Sequence, residues 1–120
     1  MIRAYSVEQV RAAEAALMPL LPPGTLMQRA SFGLAVHCAR LLGRVSGSRV
    51  VLLVGAGNNG ADALWAGAEL ARRGAQVTAV VVGQPVADAA QALWAAGGRF
   101  ASEPPAQADL VVDEIGRAHV

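Results

Sequence analysis

Cysteine is nearly absent from this sequence, and lysine is missing altogether. The 120 residues contain a single cysteine, Cys38, so no disulfide can form within the chain and the reducing cytoplasm is the expected compartment. All ten basic residues are arginine, and nine acidic residues leave a net charge of +1. These charges are scattered and form no basic run that could follow a phosphate backbone, so nucleic acid is not expected as a partner.

Long uninterrupted apolar runs are also missing, although 54% of the residues are hydrophobic. A membrane-spanning helix needs about 20 consecutive apolar residues. Charged residues interrupt every candidate span, among them Asp62, Glu69 and Arg72. Glu8 and Arg11 stand where a signal peptide would need its uncharged core. We therefore expect neither a membrane span nor a signal peptide.

What the sequence does contain is an alternation of helical and strand-like apolar patterns. Ser6 and Gln9 have the spacing of a capping box, which predicts a first helix up to Pro22. After a second helix, short Val-rich runs alternate with helical segments, which is typical of βαβ units in a doubly wound parallel sheet. The predicted bounds are helix 26–42, strand 49–55, helix 60–73, strand 76–83, helix 85–96, and short strands at 99–101 and 108–113.

The turn after the first long strand reads "VGAGNNGAD" and carries glycines at Gly55, Gly57 and Gly60, which match GxGxxG. Such a turn lies at the carboxyl edge of the sheet, where the start of a helix favours anionic ligands. A dehydrogenase that binds NAD should also carry an Asp or Glu about 20 residues later, but Gly83 and Gln84 stand there. Hydride transfer is therefore the less favoured interpretation.

The polar residues of this turn permit two interpretations. Asn58, Asn59 and Asp62 offer carboxamide and carboxylate groups within a single turn, which could bind a cation together with a sugar phosphate. Alternatively, the asparagines only tolerate the geometry of the turn, and Asp62 only complements the helix dipole. The residues alone leave both interpretations open.

Three segments together resemble the N-terminal domain of the YjeF family, the NAD(P)H-hydrate epimerases. The stretch "VVLLVGAGNNGADALWAGAELARRGAQVTAVVVG" is similar to the family's strand, GxGNNGGDG loop and helix. "GTLMQRASFGLAV" at 24–36 is similar to the preceding helix, usually written LMERAG, and "ADLVVD" to a later strand. The resemblance covers residues 5–113 and implies an α/β fold, a Rossmann-like αβα sandwich with a parallel sheet, preceded by two N-terminal helices.

The resemblance implies an isomerase that interconverts the R and S forms of hydrated NADH or NADPH, in a repair pathway for nicotinamide nucleotides. It also implies a potassium ion held by Asn59 and Asp113, a small-molecule substrate, a homodimer when the chain is full length, and a dehydratase domain that can follow. No residue is assigned firmly to proton transfer, and Asp62 is the candidate. The residues implied to line the substrate are Asn58, Asn59, Gly60, Ala61 and Asp62.

Two residues depart from the family's loop, since Ala61 and Ala63 stand where glycine is usual. Each adds only a methyl group, and we expect tighter packing over the ligand. These departures keep open a non-catalytic function, as a Rossmann-like domain that binds a ligand or serves as a scaffold. The pair Asn59 and Asp113 favours the enzyme instead, because a scaffold needs no cation site.

The end of the sequence, "EIGRAHV", departs from the family pattern, which continues close to DAxxGTG. Residues 115–120 can be encoded by ATC GGA AGA GCA CAC GTC, the opening of a widely used sequencing adapter. We therefore expect residues 1–113 to form a partial, truncated YjeF N-terminal domain and residues 114–120 to be a non-native tail. A sheet cut at this point exposes an apolar edge, so the 120-residue polypeptide is expected to lack measurable epimerase activity.

Overall fold

A computed structural model of the chain describes residues 4–6 and 26–114. These residues form five strands and three helices. In chain order they are β1 (Ala4–Ser6), α1 (Leu26–Leu42), β2 (Arg49–Val54), α2 (Asn58–Arg72), β3 (Gln76–Val81), α3 (Ala87–Ala95), β4 (Arg99–Ala101) and β5 (Leu110–Glu114). The predicted first helix after Ser6 and residues 115–120 lie outside the described residues.

The strands form one sheet in the order β1-β5-β2-β3-β4, and every pair of neighbours is parallel. Strand β2 lies near the centre, where Val54 pairs with Val81 of β3 on one side and with Glu114 of β5 on the other. Val50, Leu52 and Val54 of β2 are buried on one face of the sheet and Val51 is buried on the other, which is why β2 reads as a nearly continuous apolar run. The predicted α/β fold with a parallel sheet is confirmed.

The three helices of the described residues pack in one layer over one face of the sheet, with α2 between α1 and α3. At Gly67 a Cβ atom would lie 2.6 Å from the Cδ1 atom of Leu52 and 3.2 Å from the Cγ1 atom of Val77. Glycine therefore lets α2 lie close to β2 and β3, and a larger residue would require the Leu52 side chain to move. The core between helices and sheet is therefore dense around β2, and it includes Leu34, Cys38, Leu64, Leu70 and Leu93.

The bounds of several elements differ from the predicted ones, since β3 ends at Val81 rather than at residue 83 and β5 spans Leu110–Glu114 rather than 108–113. Strand β1 was not predicted, because three residues are too few to show a period, and its position depends on pairing with β5. Helix α2 begins at Asn58, two residues earlier than predicted. Pro85 lies outside α3, since Val86 is the N-cap and the helix begins at Ala87. In the part of the chain that is described, no helix has both the length and the apolar character needed to cross a membrane.

Candidate functional site

The turn between β2 and α2 joins a buried strand to an exposed helix start. Gly57 is the N-cap of α2 and has φ 90° and ψ −167°, a conformation that side chains disfavour. The first backbone hydrogen bond of the helix joins the Ala61 amide, which donates, to the Gly57 carbonyl at 3.0 Å. No side chain caps this end of the helix. The turn therefore presents backbone at the carboxyl edge of the sheet.

Gly60 sets how closely the helix approaches the strand. A Cβ atom at this position would lie 2.0 Å from the Gly55 carbonyl oxygen and 2.9 Å from the Cγ1 atom of Val54. The close neighbour is backbone, which cannot move aside as a flexible side chain can. The last glycine of the GxGxxG pattern is thus required by direct contact between the first turn of α2 and the end of β2.

The amide groups of Asn58, Asn59 and Gly60 come before the first N–H that has an acceptor inside the helix. Such amides, together with the positive end of the helix dipole, attract anions. Asn58 is exposed at the mouth of the turn, whereas Gly60 is buried. Three of the predicted substrate-lining residues are therefore brought together at this helix start.

Asp62 lies one turn into α2, and only 7% of its surface is exposed. The hydroxyl of Ser31 on α1 donates to the Oδ1 atom of Asp62 at 3.2 Å, and Ser31 is itself 8% exposed. The carboxylate is thus held between two helices beneath the turn. Sequence reasoning missed Ser31. The sequence pattern that could have identified it is a serine at helical spacing from buried residues of α1, since Leu34 follows three residues later and Cys38 seven residues later.

Asp113 reaches the same edge of the sheet from β5, where it pairs with Leu53 of β2. Side chains alternate along a strand, and α2 covers the face that carries Val54 and its partner Glu114. Asp113 is therefore half-buried on the opposite face. In the described part of the chain no three His, Cys, Asp or Glu side chains form a group that could hold a metal, so a cation here would need amide and backbone oxygens as well.

The second βα turn, residues 82–86, borders the first. A Cβ atom at Gly83, whose φ is 86°, would lie 3.7 Å from the Cβ atom of Ala56. Gly83 and Gln84 are both exposed, and the turn, "VGQPV", contains no acidic residue. The position from which a dehydrogenase would bind ribose hydroxyls therefore offers no carboxylate, as the sequence predicts.

A sequence model of one known family, described as YjeF-related protein N-terminus, matches residues 23–115. The chain belongs to this YjeF N-terminal family. It is 46% identical over 117 residues to the bifunctional NAD(P)H-hydrate repair enzyme Nnr of Mycobacterium tuberculosis, covering 92% of this chain and 25% of that protein. It is 39% identical over 115 residues to the NAD(P)H-hydrate epimerase of Clavibacter michiganensis, covering 95% of this chain and 47% of the relative.

A third protein to which this chain is similar is the NAD(P)H-hydrate epimerase of Bordetella pertussis. The two are 40% identical over 116 residues, which cover 91% of this chain and 49% of the relative. The chain thus spans about a quarter of the length of the bifunctional relative and about half the length of the epimerases.

Within this YjeF-family loop, Ala61 and Ala63 occupy buried positions. Ala61 is 3% exposed and Ala63 is 0% exposed, and both belong to the core between helices and sheet. The expectation that their methyl groups tighten the packing over a ligand stays a prediction, and both methyl groups pack inside the protein. Both alanines lie inside α2 and face the core.

Proposed function

We propose that this chain is the N-terminal part of an NAD(P)H-hydrate epimerase, an isomerase that interconverts the R and S forms of hydrated NADH and NADPH. One observation carries the proposal. Gly60 packs against the Gly55 carbonyl and so brings the Asn58–Asn59 helix start to the sheet edge. The names of the relatives support the same activity, and one of them supports a bifunctional gene product with a second repair activity.

The proposed reaction moves no hydride. The C6 hydroxyl of the hydrated nicotinamide ring gains a proton and leaves as water, while the ring nitrogen donates its lone pair to form a C=N bond. Water then adds to either face of C6 and returns a proton, which gives the R or the S form. Such a reaction needs groups that orient the hydroxyl and stabilise charge. It does not need a carboxylate at Gly83 or Gln84 to bind the ribose hydroxyls.

Backbone and carboxamide groups of the turn are proposed to bind the hydrated dinucleotide. The amides of Asn58, Asn59 and Gly60 suit its anionic part, and the exposed carboxamide of Asn58 suits its polar groups. Ala61 contributes backbone only, and its N–H already donates to Gly57. Asp62 is buried beneath the turn, and this favours a role in holding the turn over a role in proton transfer, because a proton donor must reach the substrate.

We propose a potassium ion between Asn59 and Asp113. Both residue types offer the oxygen ligands that hard cations prefer, and the two backbones reach the same edge of the sheet from neighbouring elements. A bound cation would neutralise negative charge beside the substrate. The half-buried position of Asp113 suits a carboxylate that binds a partially dehydrated ion.

A cytoplasmic location is also proposed, because Cys38 is a buried free thiol. Formation of a homodimer by the full-length chain stays a prediction. The exposed aromatic residues Phe32 and Trp94 are of the kind that is enriched at protein interfaces.

The deciding experiment adds protein to purified R epimer of hydrated NADH and follows the S form by chromatography. We expect the product of the complete source gene to accelerate the conversion, and Asn59→Ala to lower kcat/KM by at least about tenfold, as loss of a ligand or substrate contact would. Gln91→Ala removes an exposed carboxamide on α3 and serves as the matched control. The 120-residue polypeptide is assayed alongside.

Two outcomes would contradict the proposal at different levels. A conversion no faster than the spontaneous rate would refute the epimerase activity. Full acceleration with Asn59→Ala would leave the activity in place and refute the assignment of the site.

A further inference from the structure

We propose that Ser31 is a positioning residue for the substrate turn, and that it acts through Asp62. The proposal rests on the proposed function, because it assigns the turn after β2 to substrate binding. Ser31 belongs to α1, well before the GNNGAD segment in the sequence, and no part of it needs to touch the substrate.

The hydrogen bond between the two residues joins two helices in a nearly dry environment. Ser31 is 8% exposed and Asp62 is 7% exposed, and the Ser31 Oγ to Asp62 Oδ1 distance is 3.2 Å. Around it, Leu34 of α1 and Ala63 of α2 are 0% exposed. A hydrogen bond to a carboxylate in such surroundings is stronger than one between neutral groups, because water does not compete for it.

Two contacts therefore contribute to the position of the first turns of α2. Gly60 against the Gly55 carbonyl sets the distance of the helix from the strand. The Ser31–Asp62 bond sets where the helix lies relative to α1. Asn58 and Asn59 lie in the turn that precedes Asp62, so a shift of Asp62 toward a new partner would displace both of their amides. Removal of the Ser31 hydroxyl should loosen the turn without removing any group that faces substrate.

The test uses the product of the complete source gene with Ser31→Ala, which removes the donor, and Ser31→Thr, which keeps it. The matched control is Ser48→Ala. Ser48 is 9% exposed and its hydroxyl donates to the Arg44 carbonyl just before β2, at the amino edge of the sheet. The measured quantities are amide hydrogen exchange of residues 55–62, KM and kcat for the R epimer of hydrated NADH, and Tm.

We expect Ser31→Ala to raise hydrogen exchange in residues 55–62 and to raise KM by about tenfold, with kcat within about twofold, since it weakens binding of ground state and transition state alike. Ser31→Thr should restore both values. Ser48→Ala should lower Tm to a similar degree and leave the exchange of 55–62 and KM unchanged. In an Asp62→Ala background, Ser31→Ala should add no further exchange, because the two residues act as one unit.

Three outcomes would overturn the proposal: unchanged exchange and KM in Ser31→Ala, equal effects of Ser48→Ala, or additive effects of Ser31→Ala in the Asp62→Ala background. Hydrogen exchange is measured without substrate, so failure of the proposed function is seen separately. A wild-type protein that lacks epimerase activity but loses protection at 55–62 in Ser31→Ala would refute the activity and leave the positioning role standing.

Discussion

The two ends of strand β2 are held in different ways. At its carboxyl end the strand runs into a turn whose position depends on close packing, with Gly60 against the Gly55 carbonyl. At its amino end, Arg49 is held by Asp109, whose carboxylate accepts from the Arg49 amide at 2.8 Å and lies 3.7 Å from its guanidinium. The guanidinium also donates to Gln107 at 2.7 Å. Packing fixes one end, and exposed charges fix the other.

The two kinds of contact differ in how firmly they hold the chain. Exposed ion pairs contribute about 0 to 1 kcal/mol and weaken with salt, whereas contacts between backbone atoms in a packed interior permit little displacement. Under the proposed function the turn must hold part of the substrate in a defined orientation, which needs the second kind of support. The carboxyl end, where the family's NNGGD-like segment lies, has it.

The largest expected effect is that of Gly60→Ala, which would break the packed end. The added Cβ would lie 2.0 Å from a backbone oxygen, so α2 must move away from β2. We expect a loss of more than about 3 kcal/mol in the free energy of unfolding and a fall in Tm of more than about 12 °C. Thermal unfolding followed by circular dichroism measures both.

Gly83→Ala is the control for Gly60→Ala, since it adds the same methyl group in the neighbouring turn. Gly83 has φ 86°, and its Cβ would meet Ala56 at an ordinary distance of 3.7 Å. The free energy of unfolding is expected to fall by about 1 to 2 kcal/mol, from the strain of a positive φ alone. Equal losses in the two variants would show that the close approach to the Gly55 carbonyl does not require glycine at position 60.

A smaller effect is expected from Ala63→Gly, which restores the family's usual residue within α2. The change removes a fully buried methyl group and raises the flexibility of the helix, so we expect a loss of about 1 to 2 kcal/mol in stability. The dissociation constant for hydrated NADH, measured by calorimetry with the product of the complete source gene, should not change.

Ala92→Gly, in the middle of α3, provides the matched loss of helix propensity away from the turn. Tighter binding of hydrated NADH by Ala63→Gly, with no such change in Ala92→Gly, would mean that the methyl group at position 63 does limit access to the site, contrary to its place in the core.

The fold was largely predictable because each βα unit carries its own local signals. The Val-rich run of β2 and the glycines after it are sufficient to predict the strand, the turn and the helix that follows. Strand β1 was not predictable, because three residues show no period and their pairing with β5 depends on residues more than a hundred positions away. Such nonlocal pairing leaves no signal in a short segment.

The candidate site was predictable only in part, for a similar reason. The Asn58–Asn59 pair and Asp62 were identified as polar groups beside a turn. That Asp62 is buried and bonded to Ser31 depends on how α1 packs against α2, which neither helix specifies alone. The core positions of Ala61 and Ala63 depend on which face of α2 packs against the sheet and α1, and the turn alone does not specify that face.

The smallest expected effect concerns the charged end of β2 and its dependence on pH. The hydrogen bond from the Arg49 amide, assisted by the charge of Arg49, holds the pKa of Asp109 below its ordinary value of 3.8. A lowered pKa means that the folded state favours the ionised form. The contribution to stability is therefore present above the ordinary pKa and is lost as pH falls through the lowered one.

Asp109→Asn should remove this part of the acid sensitivity. The urea midpoint, compared between about pH 7 and about pH 3, should change less in Asp109→Asn than in wild type. Glu103→Gln, an exposed carboxylate in the loop before β5, is the control and should keep the wild-type change. An Asp109→Asn protein that loses as much stability in acid as wild type would show that the amino end of β2, too, is held by packing rather than by charge.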